Sequence, residues 1–244
     1  MADTSLVPQV LYEDNHLLVL NKPAGMVTQG AARRELSLYH WGCAYVKRKY
    51  GKPGNVFLGV VSRLDQPVSG VVLFARTSKA AARLSAAFRE RRVEKLYWAL
   101  LCPSPESEQG TWQDELIRDD DLKVTRVKNR RVGRIAPQTP QQPSEGGQIA
   151  ELSYQVLERF GRVALVEIRL VTGRKHQIRA QASARGCPVV GDRQYGSRLS
   201  FPEGIALHAR RLVFPHPTLR QDVTVEAPLP AAWRQYLPKG ARLG

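Results

Sequence analysis

Residues 61–75 read VSRLDQPVSGVVLFA, a polar loop that passes directly into an apolar run. The Pro, Ser and Gly of this loop are typical of a turn, whereas residues 71–75 have the composition of a buried strand. The stretch therefore predicts that Asp65 lies in a loop beside a central strand. A carboxylate near Arg63 can be an ordinary turn residue paired with that arginine, or it can be an available nucleophile. The loop alone favours the structural interpretation, because most aspartates in turns only stabilise the turn.

Length and cysteine usage indicate a reduced globular protein. The chain has 244 residues, enough for a sizeable core without disulfides. Its three cysteines are far apart and form neither a CxxC pair nor a zinc-ligand cluster. No apolar run is long enough to span a bilayer, and the first residues do not resemble a secretory leader. We therefore expect a cytoplasmic protein with no membrane association and no structural metal.

The charge balance points to a polyanionic partner. Thirty-seven Lys and Arg residues oppose 22 Asp and Glu residues, which gives a formal net charge of +15. The basic residues occur in short clusters within a globular pattern, which predicts a basic face on a folded body rather than a disordered arm. Nucleic acid is the partner that such a face favours, and the alternative is that the charge only aids solubility.

The order of apolar and polar segments predicts an α+β fold with a mixed, largely antiparallel sheet and flanking helices. A hairpin is expected over residues 10–20, and strands are expected over 71–76, 94–101, 150–157, 163–170, 207–214 and 223–227. Helices are expected over 35–50, 79–88 with Thr77 or Ser78 as the cap, and 174–185. Residues 118–148 are polar and rich in Pro, Gln, Ser and Gly in their second half, which predicts a surface loop or insert.

Four blocks of sequence, in order along the chain, resemble the RluA-type family of RNA pseudouridine synthases. They are LYED…LNKPAG (residues 11–25), RLD…SG (63–70), EKLYWAL (94–100) and TGRKHQIR (172–179), the last followed by GCPVVGD (186–192) and YG (195–196). The residues LHA (207–209) and FPHP (214–217) are a weaker match. Any one block is a weak signal, but the whole set in this order is a specific signal.

The resemblance implies a pseudouridine synthase fold with a central RNA-binding cleft. Residues 1–244 would form one catalytic domain, or two closely packed subdomains, without the S4-type RNA-binding domain that many relatives carry. The implied activity is isomerisation of specific uridines in ribosomal or transfer RNA to pseudouridine. Because an isomerisation needs no group donor, no cofactor or metal is expected. RNA is the expected partner, and no obligate protein partner is indicated.

The resemblance also assigns three catalytic residues. Asp65 would be the nucleophile, Arg179 would be the cation that pairs with its carboxylate, and Tyr97 would be the active-site tyrosine. A tyrosine ring can stack on uracil, and its hydroxyl could assist removal of the C5 proton. Without the motif, Tyr97 would be interpreted as a core strand residue and Arg179 as a solvated helix residue.

Four further residues are candidates for RNA contacts. Arg63 could fill the space left by an extruded uridine, or it could form a fixed ion pair with Asp65. Lys22 could reach a backbone phosphate, or it could be a solvent-facing turn lysine. Arg174 could meet phosphate at the start of the predicted helix. His176 would share a face of that helix with Arg179, because the two are three residues apart.

This chain departs from the family pattern at three positions near these motifs. Ser62 stands where the family usually has His, Val68 where it usually has Thr, and Gln181 where it usually has His. None of the three is the nucleophile, so the catalytic activity is expected to be retained. The sequence leaves open which contacts anchor the Asp65 loop.

Two other classes of function compete with the synthase. An RNA-binding or RNA-chaperone protein could retain the fold without essential catalysis. A phosphate-handling hydrolase is disfavoured, because the sequence contains neither a Gly-rich phosphate loop nor a cluster of metal ligands.

Overall fold

The computed structural model describes residues 7–30, 37–119, 121–130 and 144–237. The chain divides into two compact units, which we call unit 1 (Met1–Leu96 with Pro202–Gly244) and unit 2 (Tyr97–Phe201). In the ranges described, no helix has both the length and the apolar character needed to span a membrane. The assignment of residues 1–244 to one catalytic domain stays a prediction.

Eleven strands and three α-helices are the main elements of the described residues. In chain order they are β1 (Gln9–Glu13), β2 (Leu17–Lys22), α1 (Leu38–Lys49), β3 (Gly59–Val60), β4 (Ser69–Ala75), α2 (Ser78–Arg89), β5 (Glu94–Leu101), β6 (Gln109–Asp119), β7 (Val124–Arg130), β8 (Gln148–Phe160), β9 (Val163–Leu170), α3 (Gln177–Ala184), β10 (Leu207–Pro215) and β11 (Asp222–Glu226).

Unit 1 is built around β4, the strand that follows the Asp65 loop. The strand order is β1-β2-β4-β10, with β11 beside β10 and β3 beside β4. The β4–β10 pair is parallel, whereas β1–β2, β2–β4 and β10–β11 are antiparallel. All seven residues of β4 are buried. Val71 and Leu73 pack with the α2 side, and Val72 and Phe74 pack with the α1 side. A strand covered on both faces is continuously apolar, which explains the run VVLFA.

The two helices of unit 1 begin at polar side chains that cap their first turns. Ser37 accepts a hydrogen bond from the His40 N–H (3.3 Å) at the start of α1. Thr77 does the same for the Ala80 N–H (3.2 Å) at the start of α2. Satisfying these otherwise unpaired amides fixes where each helix begins. The predicted cap of α2 is confirmed, and α1 lies within the predicted helix, whose residues 35 and 36 fall outside the described residues.

Unit 2 is a sheet with α3 on one face. Its strands follow the order β5-β9-β8-β6-β7, and β9–β8, β8–β6 and β6–β7 are antiparallel pairs. Leu116, Ala150, Ala180 and Tyr195 form the buried apolar contact beneath the helix. The α+β fold class with a mixed, largely antiparallel sheet is therefore confirmed.

Two predictions about unit 2 need correction. Part of the segment 118–148 is not a loop, because residues 118–119 end β6 and Val124–Arg130 form β7, which pairs with β6. The strand was missed because three of its seven residues are charged and only two are apolar, a composition suited to the outer strand of a sheet. Residues 120 and 131–143 of the proposed insert lie outside the described residues. The helix predicted from residue 174 begins at Gln177, because His176 has a left-handed backbone (φ 53°) that cannot continue a right-handed helix.

Candidate active site

The Asp65 loop is fastened on both sides of the aspartate. Before it, Thr28 Oγ1 donates to Leu64 O (3.0 Å) and accepts from the Leu64 N–H (3.1 Å). After it, Gln66 O accepts from the Gly25 N–H (2.8 Å), and Gln66 Nε2 donates to Gly25 O (3.0 Å). A further bond closes the turn from the Val68 N–H to Asp65 O (3.1 Å). These hydrogen bonds fix the backbone of Asp65. The residue itself is only half-buried, so its carboxylate is not fully desolvated.

Lys22 lies beneath this loop and is fully buried. Its ammonium donates to three backbone carbonyls, those of Pro23 (3.0 Å), Met26 (2.7 Å) and Gln66 (3.1 Å). An ammonium has three N–H donors, so these bonds match its full donor capacity. Burial lowers the pKa of Lys22 to about 7, and the nearby Asp65 carboxylate opposes that decrease.

Both interpretations of Lys22 from the sequence are wrong. A side chain with no exposed surface neither faces solvent nor reaches an RNA phosphate. The sequence Lys-Pro-Ala-Gly indicates a turn, but it does not reveal that the carbonyls of the turn converge on the lysine. Lys22 instead joins the segment after β2 to the residue that follows Asp65.

The other end of the loop is tied to β10. Ser69 and His208 are register partners in the parallel β4–β10 pair. Ser69 Oγ and His208 Nδ1 are 2.8 Å apart, and His208 Nε2 lies 3.3 Å from Ala227 O. Because a carbonyl only accepts, Nε2 carries the hydrogen and the Ser69 hydroxyl donates to Nδ1. Burial lowers the pKa of His208 to about 4, so the neutral form is held.

Gly70, next to Ser69, is required because the backbones of β4 and β10 approach closely at this position. Its φ is +117°, and a Cβ at this position would lie 2.3 Å from Ala209 O. Only a residue without a Cβ fits there, since both the backbone conformation and the space exclude a side chain.

The two departures from the family pattern within the loop are both accommodated. Ser62 Oγ accepts from the Leu73 N–H (2.9 Å), which links the start of the loop to β4. Val68 is buried. The anchoring that the sequence left open is therefore supplied by hydrogen bonds from Thr28, Lys22, Ser62 and Ser69.

Arg63 and Tyr97 both keep part of their surface exposed. Arg63 is exposed on the loop, two residues before Asp65. Tyr97 lies on β5 and is partly buried. Its neighbour Trp98 donates from Nε1 to Glu167 Oε2 (3.4 Å), a structural contact to β9. The ion pair considered between Arg63 and Asp65, and the catalytic role of Tyr97, stay predictions.

The segment from Thr172 to His176 is a braced loop rather than the first turn of a helix. Gln177 Oε1 accepts from the Thr172 hydroxyl (2.8 Å) and from the Arg174 N–H (3.0 Å). Gln177 Nε2 donates to Glu151 O (3.0 Å), so the loop is also bound to β8. Arg174 is exposed, and its Nε donates to Ile149 O (3.1 Å). The prediction that Arg174 opens the helix is wrong, whereas its contact with RNA stays a prediction.

Arg179 is a buried cation with a bidentate partner. Its Nε donates to Asp192 Oδ2 (2.6 Å), and its Nη2 donates to Asp192 Oδ1 (2.9 Å) and to Gln194 Oε1 (2.9 Å). The central carbon of its guanidinium lies over the Tyr195 ring, 4.7 Å from the ring centre. Asp192 ends the block GCPVVGD (residues 186–192), but nothing in the sequence spacing indicated that it would bind Arg179.

His176 does not share a helix face with Arg179, because it precedes the helix. Its Nδ1 lies 2.8 Å from the Tyr195 hydroxyl, which also accepts from the Thr125 N–H (2.8 Å). Tyr195 thus contacts both His176 and Arg179. Asp65 belongs to unit 1, and Tyr97, His176 and Arg179 belong to unit 2. The predicted pairing of Asp65 with Arg179 stays a prediction.

Comparison with solved structures defines the class of protein. The fold is similar to that of Human RNA Pseudouridylate Synthase Domain Containing 4, with a TM-score of 0.75 and 25% sequence identity. The match covers 93% of this chain and 92% of the human one. Human RNA Pseudouridylate Synthase Domain Containing 1 gives a TM-score of 0.71 at 27% identity, over 94% of this chain and 86% of that one. The class is that of isomerases that act on uridines in RNA.

Sequence comparison gives the family. The family model for RNA pseudouridylate synthase matches residues 16–184. The Ribosomal large subunit pseudouridine synthase C of Vibrio cholerae serotype O1 is 32% identical over 237 residues, which are 94% of this chain and 68% of the relative. The Uncharacterized RNA pseudouridine synthase slr1629 of Synechocystis is 33% identical over 93% of this chain and 67% of its own length. The chain therefore belongs to the RNA pseudouridylate synthase family, as its four sequence blocks predicted.

Proposed function

We propose that this chain isomerises uridines of ribosomal RNA, with Asp65 as the nucleophile. The observation that carries the assignment is the Asp65 loop itself, which is bonded on both sides to residues 22–28 and continues into a fully buried strand. Such fixing of the backbone holds the position from which the Asp65 side chain extends, without neutralising its carboxylate. The relative from Vibrio cholerae is named for the ribosomal large subunit, which favours ribosomal over transfer RNA as the substrate.

The reaction breaks one bond and forms another at the same sugar carbon. The bond between N1 of uracil and C1′ of the ribose breaks, the base rotates, a bond forms between C5 and C1′, and the C5 proton moves to N1. No atom is gained or lost, so the proposed residues need only supply a nucleophile, orientation and proton transfer. Asp65 supplies the first, and Tyr97 stacks on the base and assists removal of the C5 proton.

Arg179 is the proposed cation that orients the nucleophile, and its own orientation is set by Asp192 and Gln194.

A uridine inside folded RNA must first leave its stack, which costs a few kcal/mol. The exposed Arg63 is placed on the loop beside Asp65, where its planar guanidinium can fill the vacated position. Arg174 and His176, in the braced loop before α3, are the proposed phosphate contacts. A cytoplasmic location, where ribosomal RNA is made and modified in bacteria, is part of the same proposal.

Replacement of Asp65 tests the mechanism. The variant Asp65→Asn removes the nucleophilic charge at nearly constant volume, and we expect loss of pseudouridine formation with retained RNA binding. Asp222→Asn, an exposed aspartate of unit 1, is the matched control and is expected to behave as wild type. Pseudouridine still formed by Asp65→Asn would remove the proposed mechanism, and RNA binding without any turnover in the wild type would favour the chaperone alternative.

Mapping pseudouridine across total RNA identifies the substrate. Cells with and without the gene are compared, and the gene carrying Asp65→Asn serves as the catalytic control. We expect one or a few ribosomal positions to lose the modification and to regain it only with the wild-type gene. Loss confined to transfer RNA would refute the choice of ribosomal RNA while leaving the chemistry intact.

A further inference from the structure

Tyr195 links two of the candidate functional residues of unit 2, His176 and Arg179, and it has no part in the reaction proposed above. It is 8% exposed and lies in a turn of 3-10 helix, Arg193–Tyr195, that follows the Arg179 partner Asp192. The turn is closed by bonds from the N–H groups of Tyr195 and Ser197 to Asp192 O, both 3.0 Å. The ring is therefore attached to a rigid backbone.

The ring and the hydroxyl of Tyr195 act on different residues. The ring lies under the Arg179 guanidinium, 4.7 Å from its central carbon. The hydroxyl lies 2.8 Å from His176 Nδ1 and accepts from the Thr125 N–H at 2.8 Å. The imidazole stands edge-on to the phenol ring, with an interplanar angle of 86°. One side chain thus constrains an arginine through its face and a histidine through its edge.

Arg179 needs a contact of this kind because hydrogen bonds fix a guanidinium mainly within its own plane. The bonds from Nε and Nη2 to Asp192 set the direction of the planar fork. They resist tilting out of the plane less strongly, and an aromatic face packed against the guanidinium supplies that resistance. Asp192 and Tyr195 together therefore define one orientation of Arg179.

His176 needs the hydroxyl for two reasons. Its left-handed backbone (φ 53°) is unfavourable for a non-glycine residue and persists only where neighbours hold it. In addition, the phenol oxygen already accepts from the Thr125 N–H, so its hydrogen can be donated to His176 Nδ1. A neutral imidazole that accepts at Nδ1 carries its hydrogen on Nε2.

We propose that Tyr195 is a positioning residue of the reaction, whose ring orients Arg179 and whose hydroxyl sets His176 to present an Nε2–H donor to the RNA. The proposal rests on the functions proposed above for Arg179 and His176. It assigns separate effects to the two parts of the side chain, so the two can be tested separately. Loss of the hydroxyl weakens RNA binding, and loss of the ring slows the chemical step.

Two substitutions separate these effects in steady-state and single-turnover assays on the RNA substrate. Tyr195→Phe keeps the ring, and we expect KM for RNA to rise about fivefold with kcat within about twofold of wild type, as for loss of one binding hydrogen bond. Tyr195→Leu also removes the ring, and we expect kcat to fall by about tenfold or more, as for loss of a desolvated cation–π contact. Tyr154→Phe and Tyr154→Leu are matched controls, because Tyr154 is a buried tyrosine of the same unit that packs on Trp112.

A nitrogen-15 spectrum of the histidine rings provides a readout that does not depend on activity. In the wild type, His176 is expected to show an unprotonated Nδ1 and a protonated Nε2, and Tyr195→Phe is expected to give a mixture of tautomers. An Nδ1-protonated ring in the wild type would overturn the assignment of the hydroxyl. Unchanged kinetics in Tyr195→Phe, or a kcat of Tyr195→Leu no lower than that of Tyr154→Leu, would overturn the positioning function.

The outcomes distinguish this inference from the proposed function. Turnover by Asp65→Asn would refute the proposed mechanism, while the ring spectrum would still report on Tyr195. An inactive Asp65→Asn together with normal Tyr195 variants would refute only the present inference. If Tyr195→Leu does not fold, the kinetics and the spectrum of Tyr195→Phe decide the assignment of the hydroxyl. Tyr195→Met, which fills the pocket without an aromatic face, then replaces the leucine variant.

Discussion

Burial of Lys22 predicts that the protein becomes more stable as the pH rises above 7. Its pKa falls from 10.5 to about 7 on folding because the side chain is desolvated. Between these two values the unfolded chain binds a proton that the folded chain has released. Stability increases with pH wherever the unfolded state binds more protons, so the free energy of unfolding should rise through this window. Below pH 7 both states hold the proton, and Lys22 contributes no slope.

The size of the effect follows from the shift. Each pKa unit corresponds to about 1.4 kcal/mol, so a shift from 10.5 to about 7 amounts to about 5 kcal/mol over the full window. Between pH 7 and pH 9 the expected gain is about 2 kcal/mol. The variant Lys22→Met removes the titrating group while filling most of its volume. Its stability curve should lack this rise.

Urea unfolding of the wild type and of Lys22→Met at intervals from pH 6.5 to pH 9.5 provides the test. Lys79→Met is the matched control, because Lys79 is an exposed lysine of unit 1 and its removal should leave the slope unchanged. The informative quantity is the difference in slope, since all other groups titrate alike in the variants. Parallel curves for wild type and Lys22→Met would refute the reasoning. They would show that the three carbonyl bonds fully compensate the ammonium for its lost water.

Three further predictions concern the Asp65 loop. Because burial holds the pKa of His208 at about 4 rather than 6.5, the unfolded chain takes up a proton before the folded chain does, and about 3 kcal/mol of stability should be lost as the pH falls from 7 to 4. Urea unfolding should show that His208→Gln loses less stability than the wild type over this pH range. An equal loss in the two proteins would contradict this prediction. Gly70→Ala should cost more than about 3 kcal/mol through its clash with Ala209, whereas Gly161→Ala, with positive φ but open space around it, should cost only about 1 kcal/mol in thermal unfolding. Arg63→Ala should lower the single-turnover rate at saturating RNA by about tenfold and reduce the salt dependence of binding by about one phosphate contact; a normal rate would exclude Arg63 from uridine extrusion.

The sequence predicted the elements whose patterns are local. The hairpin of β1 and β2, the buried strand β4 and the Thr77 cap each follow from residues that are neighbours in the chain. The start of α3 could not be predicted in this way, because a left-handed His176 depends on a bond to Tyr195, 19 residues further on. β7 was missed because a strand at the edge of a sheet can carry charges that resemble those of a loop.

The sequence motifs predicted which residues are candidates for the site. The motifs located Asp65, Tyr97 and Arg179, but they did not show what holds them. Lys22 was expected at the surface because isolated lysines almost always are, and only convergence of three carbonyls makes its burial tolerable. Asp192 and Tyr195 lie in motif blocks of the family, but nothing in their spacing indicated the buried ion pair between Asp192 and Arg179.

The long-range bond between Ser69 and His208 also sets the order in which the protein can mature during synthesis. Residues 139 positions apart in sequence must meet before the nucleophile loop is fastened to β10, and all of unit 2 is translated between them. At typical elongation rates of about 5–20 residues per second, the Asp65 loop is synthesised roughly 7–30 seconds before His208. The nascent enzyme should therefore remain inactive toward RNA until its last strands have emerged.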